Sequence, residues 1–203
     1  MYKFFFVVFI CAFSFQLNAQ YKTWTEAKIF MKDSTVLEGH VILPYGSVNE
    51  KVRFKTDPKK VSDKIPAKSI DKMILIIEYS EKVKGKRVKR IREATYIVIQ
   101  NDKKGKNFGF AELLIDGKLK LVKRVIETSN GSQFNLVEGI ETLFVRPNER
   151  AEVFSHLSLK KFSKRAAEYF QDCPNLVSKI EKEKLNRKHL REIASYYNSN
   201  CGL

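Results

Sequence analysis

The sequence predicts an α+β fold: an antiparallel β-rich region, arranged as a sheet, sandwich or small barrel, followed by a C-terminal helical unit. Three observations carry the expectation. Up to about residue 150, short apolar stretches alternate with clusters of Asp, Asn, Gly, Lys and Pro. From about His156 the apolar spacing changes from a period near two to one near 3.6. Almost no helical pattern separates the strands, and parallel strands would need such crossovers. The resulting organisation is a leader at 1–19, a β-rich domain at 20–150 and a helical unit at 155–203.

Residues 24–31 and 35–43 are apolar-rich and flank Lys32-Asp33-Ser34, the composition of a hairpin connection. The second stretch carries Gly39 and stops at Pro44-Tyr45-Gly46. Val52 and Phe54 alternate with Lys51, Arg53 and Lys55, as in a half-buried strand, and Asp57-Pro58 breaks the pattern. Ile65-Pro66-Ala67-Lys68-Ser69-Ile70 reads as a short turn into a strand at 72–79, whose Met73-Ile74-Leu75-Ile76-Ile77 run predicts burial on both faces. Across Lys84-Gly85-Lys86 lies its hairpin partner at 87–100, the longest predicted strand. After a turn at 101–107 come strands at 108–115 and 118–127 around Asp116-Gly117, the strongest two-residue hairpin signal in the chain. Asn130-Gly131-Ser132 closes that segment, 134–137 and 141–145 are weaker strands, and Pro147 ends the β region.

Helical stripes follow at 159–170 (Phe162, Ala166, Tyr169, Phe170), 174–182 (Leu176, Val177, Ile180) and 187–200 (Leu190, Ile193, Ala194, Tyr197). Pro174 suits a first helical position, and Asn186 is the expected N-cap of the last helix. The short link between the last two helices predicts an antiparallel pair. Tyr169-Phe170 and Tyr196-Tyr197 are expected to fill the core between helices rather than to present a partner surface.

The N-terminus has the layout of a cleavable export signal: Lys3, an apolar run at 4–15, then Gln16-Leu17-Asn18-Ala19. The run is short of the roughly 20 residues a spanning helix needs. Lipid attachment at Cys11 is disfavoured because Phe9 and Ile10 stand where a small residue is wanted. Without residues 1–19, which hold Lys3 as their one charge, 37 Lys+Arg face 23 Asp+Glu, a net +14. Such an excess favours anionic partners, and outside the cytoplasm nucleic acid is the least available of them. Export also leaves an even cysteine pair, Cys173 and Cys201, just before one predicted helix and just after its antiparallel neighbour, and a disulfide between them is expected.

The densest cationic run is Lys82, Lys84, Lys86, Arg87, Lys89, Arg90 and Arg92, with Lys103, Lys104 and Lys106 at the far end of the same strand. Two readings stay open: an anion-binding edge, or a solvated hairpin whose cations keep a sheet edge from pairing. Stacking on nucleic acid would want interleaved aromatics, and none lies between Lys82 and Arg92. His40, His156 and His189 fall on three different elements at no fixed spacing from a carboxylate. Gly-x-Ser-x-Gly, His-Glu-x-x-His and phosphate-loop spacings do not occur, so no catalytic, metal or cofactor residues are assigned.

Tyr169-Phe170-Gln171-Asp172-Cys173-Pro174-Asn175-Leu176, Tyr196-Tyr197-Asn198-Ser199-Asn200-Cys201 and a leader ending Asn18-Ala19-Gln20 resemble segments of uncharacterised exported proteins of Bacteroidetes-type bacteria. The C-terminal likeness covers about a quarter of the chain. It implies bacterial export and transfers no functional residues. The functional expectation is an exported cell-envelope protein, periplasmic, outer-membrane-associated or secreted, serving as a non-enzymatic binding or structural module. The alternatives are a basic-surface binder of envelope anions (lipopolysaccharide, acidic glycan or lipid) and an envelope hydrolase.

Overall fold

In the computed structural model the chain is described at residues 24–42, 50–57, 59–102, 104–129 and 136–201. The leader at 1–19, the Pro44-Tyr45-Gly46 and Asn130-Gly131-Ser132 turns, Pro58, Lys103 and Phe134 lie outside these residues. Ten strands form one antiparallel sheet: β1 (Trp24–Met31), β2 (Val36–Ile42), β3 (Lys51–Lys55), β4 (Asp63–Pro66), β5 (Ile70–Val83), β6 (Lys86–Gln100), β7 (Phe108–Ile115), β8 (Lys120–Ser129), β9 (Leu136–Val145) and β10 (Glu152–Val153). Their spatial order is β10-β9-β8-β7-β6-β5-β1-β2-β3-β4. Helices α1 (Leu159–Tyr169), α2 (Pro174–Glu181) and α3 (Leu190–Asn200) follow, so the architecture is α+β. No helix among the described residues is long and apolar enough to cross a membrane.

The β1–β4 end of the sheet is curled. Strands β4 and β7 stand six places apart, about 30 Å if the sheet were flat. Yet Ile65 of β4 and Phe110 of β7 belong to one buried cluster with Ile29, Val41, Val52, Phe54, Met73 and Leu75. A 3-10 turn at Ala67–Ser69 makes the closure: Ala67 N–H donates to Glu50 O at 2.7 Å, and Lys32 N–H donates to Ser69 O at 2.9 Å. Curling also demands a close strand approach at Gly39, where a Cβ would lie 2.4 Å from Lys55 O and 2.9 Å from the Phe54 ring. The predicted burial of 72–79 on both faces does not hold. Met73 and Leu75 face the curl and are buried, whereas Ile74 and Ile76 on the outer face are half-buried, because no second layer among the described residues covers that side.

The helices cover one face of β7–β9. Leu121 and Phe144, opposite each other in the ladder, pack under Phe162, Ala166, Phe170, Leu176, Ile180, Ile193 and Tyr197. Their chain neighbours Val122 and Leu143 point the other way, into a small cluster with Ile99 and Ala111. The helical unit therefore has no core of its own; it shares one with the strands. Phe170 and Tyr197 are buried, and Tyr169 and Tyr196 pack partly buried beside them, so these aromatics are core residues. Arg146 is held between the Tyr169 and Tyr197 rings, 4.6 and 5.0 Å from their centroids, and donates to Tyr169 O and Asp172 Oδ1. Next in the chain, Cys173 is bonded to Cys201, with Cα atoms 5.5 Å apart, joining the start of α2 to the end of α3.

Two local expectations are corrected. Asp116-Gly117 does not form a two-residue hairpin turn: β8 starts at Lys120, and the register shifts between Leu113 and Ile115. Asn198 of α3 is the cause, since its side chain accepts from Leu119 N–H at 2.8 Å and donates to Leu119 O at 2.9 Å, removing that residue from the ladder. Gly117 lies so close to Asn198 that a Cβ would stand 2.4 Å from Nδ2, and its φ of +148° also favours glycine. The second correction concerns Asn186, which does not cap α3. Its Oδ1 accepts from Lys188 N–H in a local turn, and α3 begins at Leu190 after His189.

Candidate anion-binding arm

The hairpin signal at Lys84-Gly85 is realised as a type I′ turn, with φ of 47° and 83° at the two residues. Val83 faces Lys86 at its mouth, and the β5–β6 ladder runs unbroken back to Lys72 opposite Ile97. Neighbouring strands are much shorter. Pairing with β1 reaches only Ala27 opposite Leu75, and pairing with β7 only Tyr96 opposite Glu112. Among the described residues, 76–83 and 86–95 thus pair with each other alone, a two-stranded arm roughly 30 Å long. Around the tip there is open space: a Cβ added to Gly85 would meet nothing within 4 Å.

The arm carries all seven cations of the predicted basic run, and the structure divides them by role. At the base, Arg92 grips buried Glu112 through two hydrogen bonds of 2.6 and 2.8 Å, with Lys123 Nζ at 3.3 Å from the same carboxylate. Halfway out, Arg90 pairs with Glu81 at 2.7 Å. The other five, Lys82, Lys84, Lys86, Arg87 and Lys89, are exposed and have no carboxylate partner among the described residues. Lys82 and Arg87 even stand directly opposite each other, an arrangement that destabilises a ladder. Lys104 and Lys106 lie beyond Gln100, at the other end of a 15-residue strand, and so take no part in the tip.

The tip is also two-faced. Period-two alternation puts Lys82, Arg87 and Lys89 on one face with Ile91, which is 67% exposed. The opposite face carries Val83, Val88 and Tyr79 beside Lys86 and the Arg90–Glu81 pair. These apolar residues went unremarked in the sequence, where the surrounding charges mask them; the alternation of Val88 with Arg87 and Lys89 was the available signal.

A lysine at the first turn position is unfavourable, because residues other than Gly, Asn and Asp lose roughly 1 kcal/mol in the left-handed region. Lys84→Asn is therefore expected to raise the melting temperature by a few degrees while removing a cation from the tip. Calorimetry alongside heparin retention should show stability and retention moving in opposite directions.

At the base of the arm, burial pushes Glu112 up, but the Arg92 hydrogen bonds and the Lys123 charge outweigh it and hold the carboxyl below its ordinary value of 4.5. Asp172 behaves alike: burial raises it, and Tyr197 OH at 2.5 Å and Arg146 lower it further. Folded-state values below the unfolded ones mean stabilisation that is full above about pH 4.5 and is lost as pH falls through the lowered values. Urea midpoints measured downward from that pH should drop, and Glu112→Gln should flatten the slope.

The histidines are not gathered into a site. His40 lies on β2 in an open cleft of about 680 Å³ with Glu26, Glu38 and Glu93; His156 precedes α1; His189 precedes α3 and accepts from Asn186 N–H. Among the described residues no three His, Cys, Asp or Glu side chains are grouped to hold a metal ion.

Fold and site together define an α+β protein with a cationic β-ribbon arm. The chain matches no known protein-family profile, no curated protein and no solved structure.

Proposed function

We propose that this is an exported cell-envelope protein without a catalytic role, a binding module that holds an anionic envelope component with the β5–β6 arm. The observation that carries the reading is the set of five cations on a two-stranded ribbon, without carboxylate partners among the described residues although Lys82 and Arg87 face each other. Export is supported by the layout of residues 1–19 and by the Cys173–Cys201 disulfide, a bond that persists in oxidising compartments.

Retention on heparin, as a model polyanion, tests the arm. Lys82→Glu/Arg87→Glu/Lys89→Glu is expected to abolish salt-sensitive retention. Lys160→Glu/Lys164→Glu/Lys182→Glu, at exposed positions of the helical unit, makes the same change in net charge and should leave most of it. Charged glutamates also guard a free edge, so edge protection alone predicts no specific loss of retention from the arm variant. Equal retention of the two variants would sink the proposal.

A further inference from the structure

Resting on that reading, we infer that the arm docks tip-first on a lipid bilayer bearing anionic phosphate headgroups. A ribbon made only to hold a soluble polyanion needs cations; this one also presents apolar side chains where they cost solubility. Val83 is 37% exposed at the mouth of the turn, and Val88, two places inward on the same face, is its diagonal neighbour. Tyr79 follows on that face at 41% exposure, an amphipathic ring suited to headgroup depth.

Lys86 shares the face of these residues and Lys84 stands in the turn, while Lys82, Arg87 and Lys89 line the other face of the ribbon, all within about four positions of Gly85. Long lysine and arginine stems reach headgroup phosphates while the valines between them enter the acyl boundary. A self-complementary partner is disfavoured, since two such arms would bring cations against cations. The turn is open at Gly85, where an added Cβ would meet nothing within 4 Å.

Each cation brought to an anionic surface is worth about five-fold in affinity. Lys82→Glu/Arg87→Glu/Lys89→Glu should therefore lose at least about a hundred-fold. Replacing both valines by serine should cost on the order of ten-fold through lost apolar insertion. The experiment is co-sedimentation of the mature chain with vesicles of phosphatidylcholine mixed with phosphatidylglycerol, against pure phosphatidylcholine vesicles, with heparin retention measured in parallel.

Wild-type protein is expected to bind the mixed vesicles only. Val83→Ser/Val88→Ser should weaken vesicle binding yet keep heparin retention, and the charge-reversed arm should lose both. Wild-type protein held by heparin but ignored by mixed vesicles would assign the arm to an anionic glycan, overturning the lipid inference and leaving the anion reading intact. Vesicle binding unchanged in the valine variant would equally overturn tip insertion. Retention on neither support would remove both readings.

Discussion

Alanine at both Cys173 and Cys201 is expected to lower stability by about 3 to 4 kcal/mol, the chain-entropy cost of freeing a loop whose ends are 28 residues apart. In a chain of this size that corresponds to a fall in melting temperature of roughly 10 °C. The bond matters because of what it joins. Cys173 precedes Pro174 at the start of α2 and is itself buried in the shared core, while Cys201 follows Asn200 at the end of α3. Helices of 8 and 11 residues are too short to hold themselves, so their ends depend on the crosslink and on packing against the sheet. Calorimetry of wild-type protein with and without reductant, beside the alanine pair, checks this. An unchanged melting temperature would mean that packing alone holds the helix ends. Heparin retention should persist in the alanine pair at temperatures where it is folded, since the arm is rooted in the curled part of the sheet.

Phe144→Ala is expected to cost about 3 to 5 kcal/mol, the range for removing a large buried aromatic side chain without collapse of the cavity. Phe144 is fully buried on β9, and its ring centroid lies 5.2 Å from that of Phe154, 5.4 Å from Phe170 and 6.3 Å from Tyr169. It is the strand residue around which the first helix and the chain leading into it are assembled. Collapse is resisted because Phe154 and Phe170 are pinned by other contacts: Phe154 N–H donates to Thr142 O, and Phe170 packs against Tyr197. Phe144→Leu should recover a large part of the loss, since it keeps apolar volume in place. Denaturant unfolding of the two variants gives the comparison, and equal stability of wild type and Phe144→Ala would show that the helices do not depend on this ring. Because Cys173 belongs to the same cluster, the effect of Phe144→Ala should change when measured in the cysteine-free protein.

Much of the fold was legible because its signals are local. Period-two alternation marked the strands, Lys84-Gly85 marked the turn of the arm, and the change to a 3.6 period near His156 marked the helices. The cysteine pair was legible from its positions at the ends of two helical stripes, and all seven basic residues were named from composition. What escaped depended on partners distant in the chain. Asp116-Gly117 has the chemistry of a tight turn, but Asn198, more than 80 residues later, captures Leu119 and lengthens the loop. The Met73–Ile77 run has the hydrophobicity of a strand buried twice over, but Ile74 and Ile76 on its outer face are only half-buried among the described residues.

The sequence by itself marked most of the strands and all three helices, that two cysteines would meet, and that positive charge gathers along residues 82–92. Only the tertiary structure decided that the charge stands on an arm. Alternation tells which side chains share a face of a strand, whereas freedom from neighbours depends on how far β1 and β7 run alongside β5 and β6, and those ladders end at Leu75 and Tyr96. The same register sorted the cations, since Arg92 reaches Glu112 only because β7 lies beside β6. Charge is a property of composition; an uncompensated charge is a property of distance, and distances between remote residues exist only once the chain has folded.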